Sequence, residues 1–154
     1  MTVVLSIGSN LGDRLGFLRL AVEVLAPQAV SPVYETAPVG PVAQGAFLNA
    51  VLLCSLSAEQ AWERAREAER QAGRERGVVG GPRTLDVDVV DAPPPVPPGL
   101  VVPHPRAHVR AFVLAPWLDV DPDAALPGHG PVAALLRALG RQGVRRCDDL
   151  VLRP

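Results

Sequence analysis

Apolar, strand-like runs alternate along this chain with amphipathic helical stretches, and neighbouring runs lie close enough to pair as hairpins. This order predicts an α+β fold, a mixed or mainly antiparallel sheet flanked by helices, whose simplest form is a ferredoxin-like sandwich. The 154 residues, 48% of them hydrophobic, read as one globular domain spanning 1–154. A chain of this length buries ~70% of its unfolded surface, enough for a real core.

Thr2 to Ile7 reads as a buried strand, and Gly8-Ser9-Asn10-Leu11-Gly12 as the turn after it. A helix from about Asp13 to Ala26 carries Leu11, Leu15, Leu18, Val22 and Leu25 at helical spacing and stops at Pro27. Gly16 weakens it slightly. Ala29 to Tyr34 contains Pro32 and is expected at a sheet edge, where a missing N–H is tolerated. The loop Glu35 to Gly45 is rich in Pro and Gly. Phe47 to Leu53 is a strong strand, apolar on both faces apart from Asn49.

Ser57 with Gln60 forms a capping box. The helix it opens has Ala58, Ala61, Trp62, Ala65, Ala68 and Ala72 as its apolar stripe, with Arg66, Glu69, Arg70 and Gly73 beside it. Gly73 to Gly81 is a Gly-rich loop carrying Arg74, Glu75 and Arg76. Next comes Gly81-Pro82-Arg83-Thr84-Leu85-Asp86-Val87-Asp88-Val89-Val90, a strand opened by Gly-Pro. Prolines between Pro93 and Pro98 form a stiff connector. Val101 to His104 reads as a short strand. The tail holds a loop, a helix near Val132 to Leu139 and a last strand near Val144.

Composition narrows the chemistry. The formal net charge of −1 gives no electrostatic reason to bind nucleic acid or an anionic membrane. All 15 basic side chains are Arg. A lysine-dependent P-loop and Schiff-base catalysis are therefore excluded, and any phosphate clamp must use guanidinium groups, backbone amides and metal. Cys54 and Cys147 have no metal-ligand spacing, and Cys54, in an apolar run, reads as a buried thiol. Met1 to Leu5 lacks the basic start of a signal peptide, and no apolar run approaches the ~20 residues of a membrane span. The expected location is the cytoplasm.

Asp86 and Asp88 share one face of their strand with Thr84, because strand side chains alternate. Paired carboxylates resist burial unless a cation or hydrogen bonds compensate. Hard oxygen donors at this spacing suit Mg²⁺ held together with substrate phosphates, which Arg83 can also reach. A solvated acidic edge strand is the alternative for Asp-x-Asp alone. Gly8 to Gly12 lacks the spacing of the common nucleotide fingerprints and reads as a turn plus helix cap. Phe47 and Asn49 face the same way, so an aromatic ring and an amide are placed to stack a flat heterocycle and bond its edge. A core Phe beside a satisfied amide is the simpler reading of that pair. Asp119-Val120-Asp121-Pro122-Asp123 has Ala124 and Gly130 where a calcium loop needs Gly and Glu, so it reads as a solvated turn. His104 and His108 lie among prolines and make no zinc helix; a phosphate-facing His104 stays open. No serine-nucleophile elbow occurs.

Taken in order, Gly8-Ser9-Asn10-Leu11-Gly12, Tyr34 to Gly40, Phe47 to Val51, Glu69 with Gly73 to Arg76, Gly81 to Asp88, Val102-Pro103-His104, and Arg110 with Phe112 resemble the hydroxymethyl-dihydropterin pyrophosphokinase family of folate biosynthesis. The ordered set spans Gly8 to about Pro116 and is far more specific than any one motif. The resemblance implies transfer of a pyrophosphoryl group from ATP, the co-substrate, to the hydroxymethyl of a reduced pterin, releasing AMP. It implies two Mg²⁺ ions on Asp86 and Asp88, with Arg74 and Arg83 beside them in catalysis. It implies pterin binding by Phe47, Phe112, Asn49, Thr36 and Val39. It places Arg66, Glu69, Arg76, Arg83, Val89, His104 and Arg110 on the ATP side. A monomer is expected, with small molecules as its partners. A Trp commonly stands before Gly-Pro-Arg in that family; here it is Gly80, in a loop one residue shorter. A nucleotidyltransferase that releases pyrophosphate and a pterin sensor without turnover are the rival readings.

Overall fold

The computed structural model describes residues 2–38, 43–73, 83–141 and 143–153. A sheet in the order β5-β1-β4-β3-β8 forms its centre: β5 (Asp86–Asp91), β1 (Val3–Ser9), β4 (Phe47–Cys54), β3 (Val33–Thr36) and β8 (Val144–Cys147). Every pairing is antiparallel, and a two-residue strand β2 (Ala29–Val30) also pairs with β4. With β2 and β3 counted as one interrupted strand, the first five strands and two helices have the ferredoxin-like order. The strand β8 and helices α3 (Ala111–Val120) and α4 (Val132–Leu139) are additions to it.

Helices α1 (Arg14–Leu25) and α2 (Ala58–Gln71) cover one face of the sheet. Val3, Leu5, Ile7, Leu48, Ala50, Leu52, Val87 and Val89 meet Leu18, Ala21, Leu25 and the alanine stripe of α2 there. Alanine at 58, 61, 65 and 68 brings α2 close to its neighbours, because a methyl is all that stands between the backbones. The Ser57–Gln60 capping box is present in full, and Asp13 caps α1 by accepting from the Gly16 N–H. Cys54 is fully buried here, and burial pushes its thiol up to about 11, which removes it as a nucleophile at neutral pH.

The opposite face carries α3 and α4 over Val4, Tyr34, Val51 and Val90. Sequence periodicity predicts loop, not helix, where α3 stands. Pro116 lies inside that helix and removes the bond that would return to the Phe112 carbonyl. Val113, Leu114, Ala115 and Trp117 are all buried, so α3 has no polar face to signal its period. The Ala29–Tyr34 segment is broken, not continuous. At the break the Ser31 hydroxyl accepts from the Val51 N–H at 2.9 Å, and β3 runs on inside the sheet between β4 and β8. Val101–His104 is not a strand. Pro103 and Pro105 supply no N–H, and only His104 N–H reaches the edge of β5, at the Val90 carbonyl, 2.8 Å away. The solvated turn expected over Asp119 to Asp123 is present from Asp121 to Asp123, whereas Asp119 lies in the last turn of α3 and accepts from the Tyr34 hydroxyl at 2.5 Å. Burial, helped by Asp119, pushes that hydroxyl's pKa up.

Asn10 draws three segments together at the end of β1. Its amide donates to Gln44 Oε1 at 2.8 Å and to the Gly45 carbonyl at 3.2 Å, and its oxygen accepts from Arg83 N–H at 2.8 Å. Its own N–H donates to the Arg83 carbonyl at 3.1 Å. The turn Gly8–Gly12 is thus a turn and helix cap whose one amide side chain joins the leads into β4 and β5. Asn10→Ala leaves the Arg83 N–H and the Gly45 carbonyl without these partners. It is expected to lower the unfolding free energy by about 1–3 kcal/mol in urea titrations; an unchanged midpoint would contradict this role.

Candidate active site

Antiparallel pairing places directly opposed residues on the same face of a sheet. Asp86 lies opposite Gly8, Gly8 opposite Asn49, and Asn49 opposite Tyr34, so one row crosses four strands. A second row puts Asp88 opposite Ser6 and Ser6 opposite Val51. Asp86, Gly8, Asn49, Asp88 and Ser6 therefore share the floor of one cleft of about 760 Å³. Thr36, Ala37, Pro38, Gln44 and Phe47 line it together with Arg83, Arg106, Arg110 and Phe112.

The amide end of this cleft is fixed by hydrogen bonding. Thr36 Oγ1 donates to Asn49 Oδ1 at 2.7 Å, and both side chains are buried. The Asn49 amide lies over Gly8: a Cβ built there would come within 2.8 Å of Asn49 Nδ2. Phe47 and Phe112 both line the cleft, from β4 and from the first turn of α3. The Arg110 guanidinium lies 5.5 Å from the Phe112 ring centre, so the aromatic wall and a cleft cation are in contact.

The acidic end holds Asp86 and Asp88, two positions apart on β5 and both half-buried. Arg83 Nη1 is 3.1 Å from Asp86 Oδ2. Two hard carboxylate donors on an open floor fit Mg²⁺, which keeps waters and takes substrate phosphates instead of needing an all-protein cage. Among the described residues no cluster of three or more His, Cys, Asp or Glu side chains gathers for a metal.

His104 stands beside this end. Its Nδ1 accepts from the Arg106 N–H at 3.1 Å, so the neutral ring carries its proton on Nε2 and offers it as a donor. Burial is the main cause holding its pKa below the ordinary value; Arg110 and Arg106 lower it further, and Asp86 opposes them.

The sequence-predicted residues fall into three groups. Thr36, Phe47, Asn49, Arg83, Asp86, Asp88, Arg110 and Phe112 meet on the cleft, with His104 next to it. Glu69 instead accepts from the Val87 N–H at 2.9 Å, on the open edge of β5. Val89 points into the core on the other face, and Arg66 lies over Trp62 on the surface of α2, 4.3 Å from its ring centre. Val39, Arg74 and Arg76 lie outside the described residues, as does Gly80. Sequence reasoning missed Arg106 and Ser6. Arg106 comes directly after the His104-Pro105 pair and Ser6 is two residues before Gly8, so both had a positional signal. The turn Leu139, Gly140, Gly143 and Val144 also lines the cleft, and only the pairing of β8 with β3 brings it there.

The family description 7,8-dihydro-6-hydroxymethylpterin-pyrophosphokinase matches residues 4–122. This chain belongs to that family. A Mycobacterium leprae protein named 2-amino-4-hydroxy-6-hydroxymethyldihydropteridine pyrophosphokinase is 49% identical, covering 93% of this chain and 87% of its own. A Mycobacterium tuberculosis protein of the same name is 48% identical over 89% of this chain and 83% of its own. The Bacillus subtilis protein so named is 40% identical over 75% of each. Each carries the substrate class in its name, and that class is a flat heterocycle suited to an aromatic and amide wall.

The His104 geometry sets an expectation for acid. Its folded pKa lies below 6.5, so as pH falls the unfolded chain takes up the proton first. The stability this contributes is complete above the ordinary value and is lost as pH falls towards and through the folded one. His104→Gln is expected to flatten the loss of unfolding free energy between about pH 7 and about pH 5. Equal slopes in the two proteins would count against a buried neutral imidazole.

Proposed function

We infer that this protein transfers the pyrophosphoryl group of ATP to the hydroxymethyl of 6-hydroxymethyl-7,8-dihydropterin, giving the pterin diphosphate and AMP in folate biosynthesis. Membership of the pyrophosphokinase family carries this reading. The juxtaposition of the Asp86/Asp88 pair with Phe47, Asn49 and Phe112 in one cleft accounts for it physically.

In this reading Phe47 and Phe112 stack the two faces of the pterin, and Asn49 reads its polar edge while Thr36 holds the Asn49 oxygen. Val39 extends that edge contact. Arg83, Arg106 and Arg110, with the Nε2–H of His104, grip the triphosphate, and Arg74 and Arg76 add to them. Glu69 orders the edge of β5 beside the nucleotide, Arg66 reaches toward it from the surface of α2, and Val89, whose side chain faces the core, meets it through its backbone. Asp86 and Asp88 would hold Mg²⁺, two ions in this proposal, which would supply neutralisation of phosphate charge and orientation of the triphosphate.

The reaction itself asks little covalent work of the protein. The hydroxymethyl oxygen forms a bond to the β-phosphorus as the bond from that phosphorus to the α–β bridging oxygen breaks. AMP leaves with the bridging oxygen, and the hydroxyl proton passes to solvent. Fixing nucleophile and phosphorus on one rigid floor supplies the positional part of the acceleration, and the guanidinium groups supply charge stabilisation.

The whole chain, 1–154, is read as one catalytic domain working as a cytoplasmic monomer. Among the described residues no helix is long and apolar enough to cross a membrane. Nucleotide product analysis tests the reaction class. AMP is expected in step with pterin diphosphate and only with Mg²⁺ present, and Asp86→Asn or Asp88→Asn is expected to lose most of the rate while keeping the fold. Pyrophosphate as product would mean nucleotidyl transfer, pterin binding without turnover would mean a sensor, and near-normal rates in either Asp variant would end the metal assignment.

A further inference from the structure

Arg106 and Arg110 stand at the two ends of a single 3-10 turn, Ala107–Val109. The turn's own bonds are few and long: Val109 N–H to the Arg106 carbonyl and Arg110 N–H to the Ala107 carbonyl are both 3.2 Å. So short a 3-10 segment has little stability of its own, and its place must come from side chains packed on it. Ala107 is buried beneath it. Above it the ring of His108 lies flat against the ring of His129, with centres 4.0 Å apart and planes 9° from parallel.

His129 is well placed to act as a fixed surface. It sits in the turn of the hairpin β6 (Ala125–Leu126) and β7 (Gly130–Pro131), and its N–H donates to the Leu126 carbonyl at 2.9 Å. Gly128 and Gly130 flank it with φ of 81° and 97°, a backbone that L side chains rarely adopt. Ala124 and Leu126 root the hairpin in the second core. His108 Nδ1, meanwhile, is buried with no hydrogen-bond partner among the described residues. The contact that the described residues give this ring is its stacked face on His129.

We propose that His129 is a positioning residue whose stack on His108 fixes Arg106 and Arg110 against the triphosphate. The inference rests on the phosphate role proposed for those two arginines. Phe112 is anchored by α3, whose Val113, Leu114, Ala115 and Trp117 are buried, and the Arg110 carbonyl also accepts from the Val113 and Leu114 N–H groups, so Arg106 depends on the stack more than Arg110 does. The stack therefore acts on nucleotide binding more than on pterin binding.

Steady-state kinetics of H129A, H129F, R106A and R110A test this. H129A is expected to raise KM for MgATP about three- to tenfold, the range to which the ordinary strength of an aromatic pair converts, with smaller changes in kcat and in KM for pterin. H129F keeps a ring face and is expected to return KM to within about twofold of the parent. A parent-like KM in H129A, or an H129F as impaired as H129A, would overturn the proposal. If R106A and R110A leave KM for MgATP unchanged, the phosphate reading itself fails, separately from the stack. Should H129A lose its fold, H129Q carries the same comparison, since it keeps polarity and removes the ring.

Discussion

Gly8 lies near the end of β1, between Asp86 on one neighbour strand and Asn49 on the other, and the rest of the site depends on its lack of a side chain. With no Cβ there, the Asn49 amide can lie across the strand, and the floor of the cleft stays open between an amide and a carboxylate. Any other residue would bring a carbon to 2.8 Å from Asn49 Nδ2 and force the amide away from where Thr36 holds it. The pairing register extends this constraint across the sheet. The same row that carries Asp86 to Gly8 carries Asn49 to Tyr34, and Tyr34 is tied by Asp119 to the end of α3.

Around that floor the protein sets charge against charge at short range. Asp86 and Asp88 are half-buried, a placement carboxylates resist without cations nearby. Arg83 stands 3.1 Å from Asp86, and Arg106 and Arg110 also line the cleft. In the proposed reaction these same groups would receive the triphosphate and its Mg²⁺. Little rearrangement of the sheet is needed, because the carboxylates sit on β5 and not on a loop. Asn10 complements this by fixing the residues that lead into β4 and β5. The Gly8–Gly12 turn, which lacks the spacing of a nucleotide loop, is thereby a structural junction.

Elements with a clear period were legible from sequence. The α2 stripe with its Ser57 cap, the strand from Phe47 and the helix from Val132 all lie where the pattern puts them. Helix α3 was not, because it is buried nearly all round and interrupted by Pro116, so neither periodicity nor breaker rules favour it. The shared face of Asp86 and Asp88 is a consequence of strand alternation alone. Their meeting with Asn49 and Phe112 is not, since it depends on β1 lying between β4 and β5 and on α3 returning over the sheet. Arg106 had a positional signal in its place after His104-Pro105, but the fold is what brings it to the cleft. Ordered motifs carry the family resemblance without any contact being visible, whereas the His108–His129 stack has no sequence signature at all.

The most direct measurement is a fluorescence titration of pterin into Gly8→Ala, set beside the MgATP affinity of the same variant. The expected result is a loss of pterin affinity of about tenfold or more, as for a displaced buried hydrogen-bonding group, with a smaller change for MgATP and a folded, cooperatively melting protein. Parent-like pterin binding in that variant would contradict the claim that the gap at Gly8 sets the position of the Asn49 amide and, through it, the pterin end of the site.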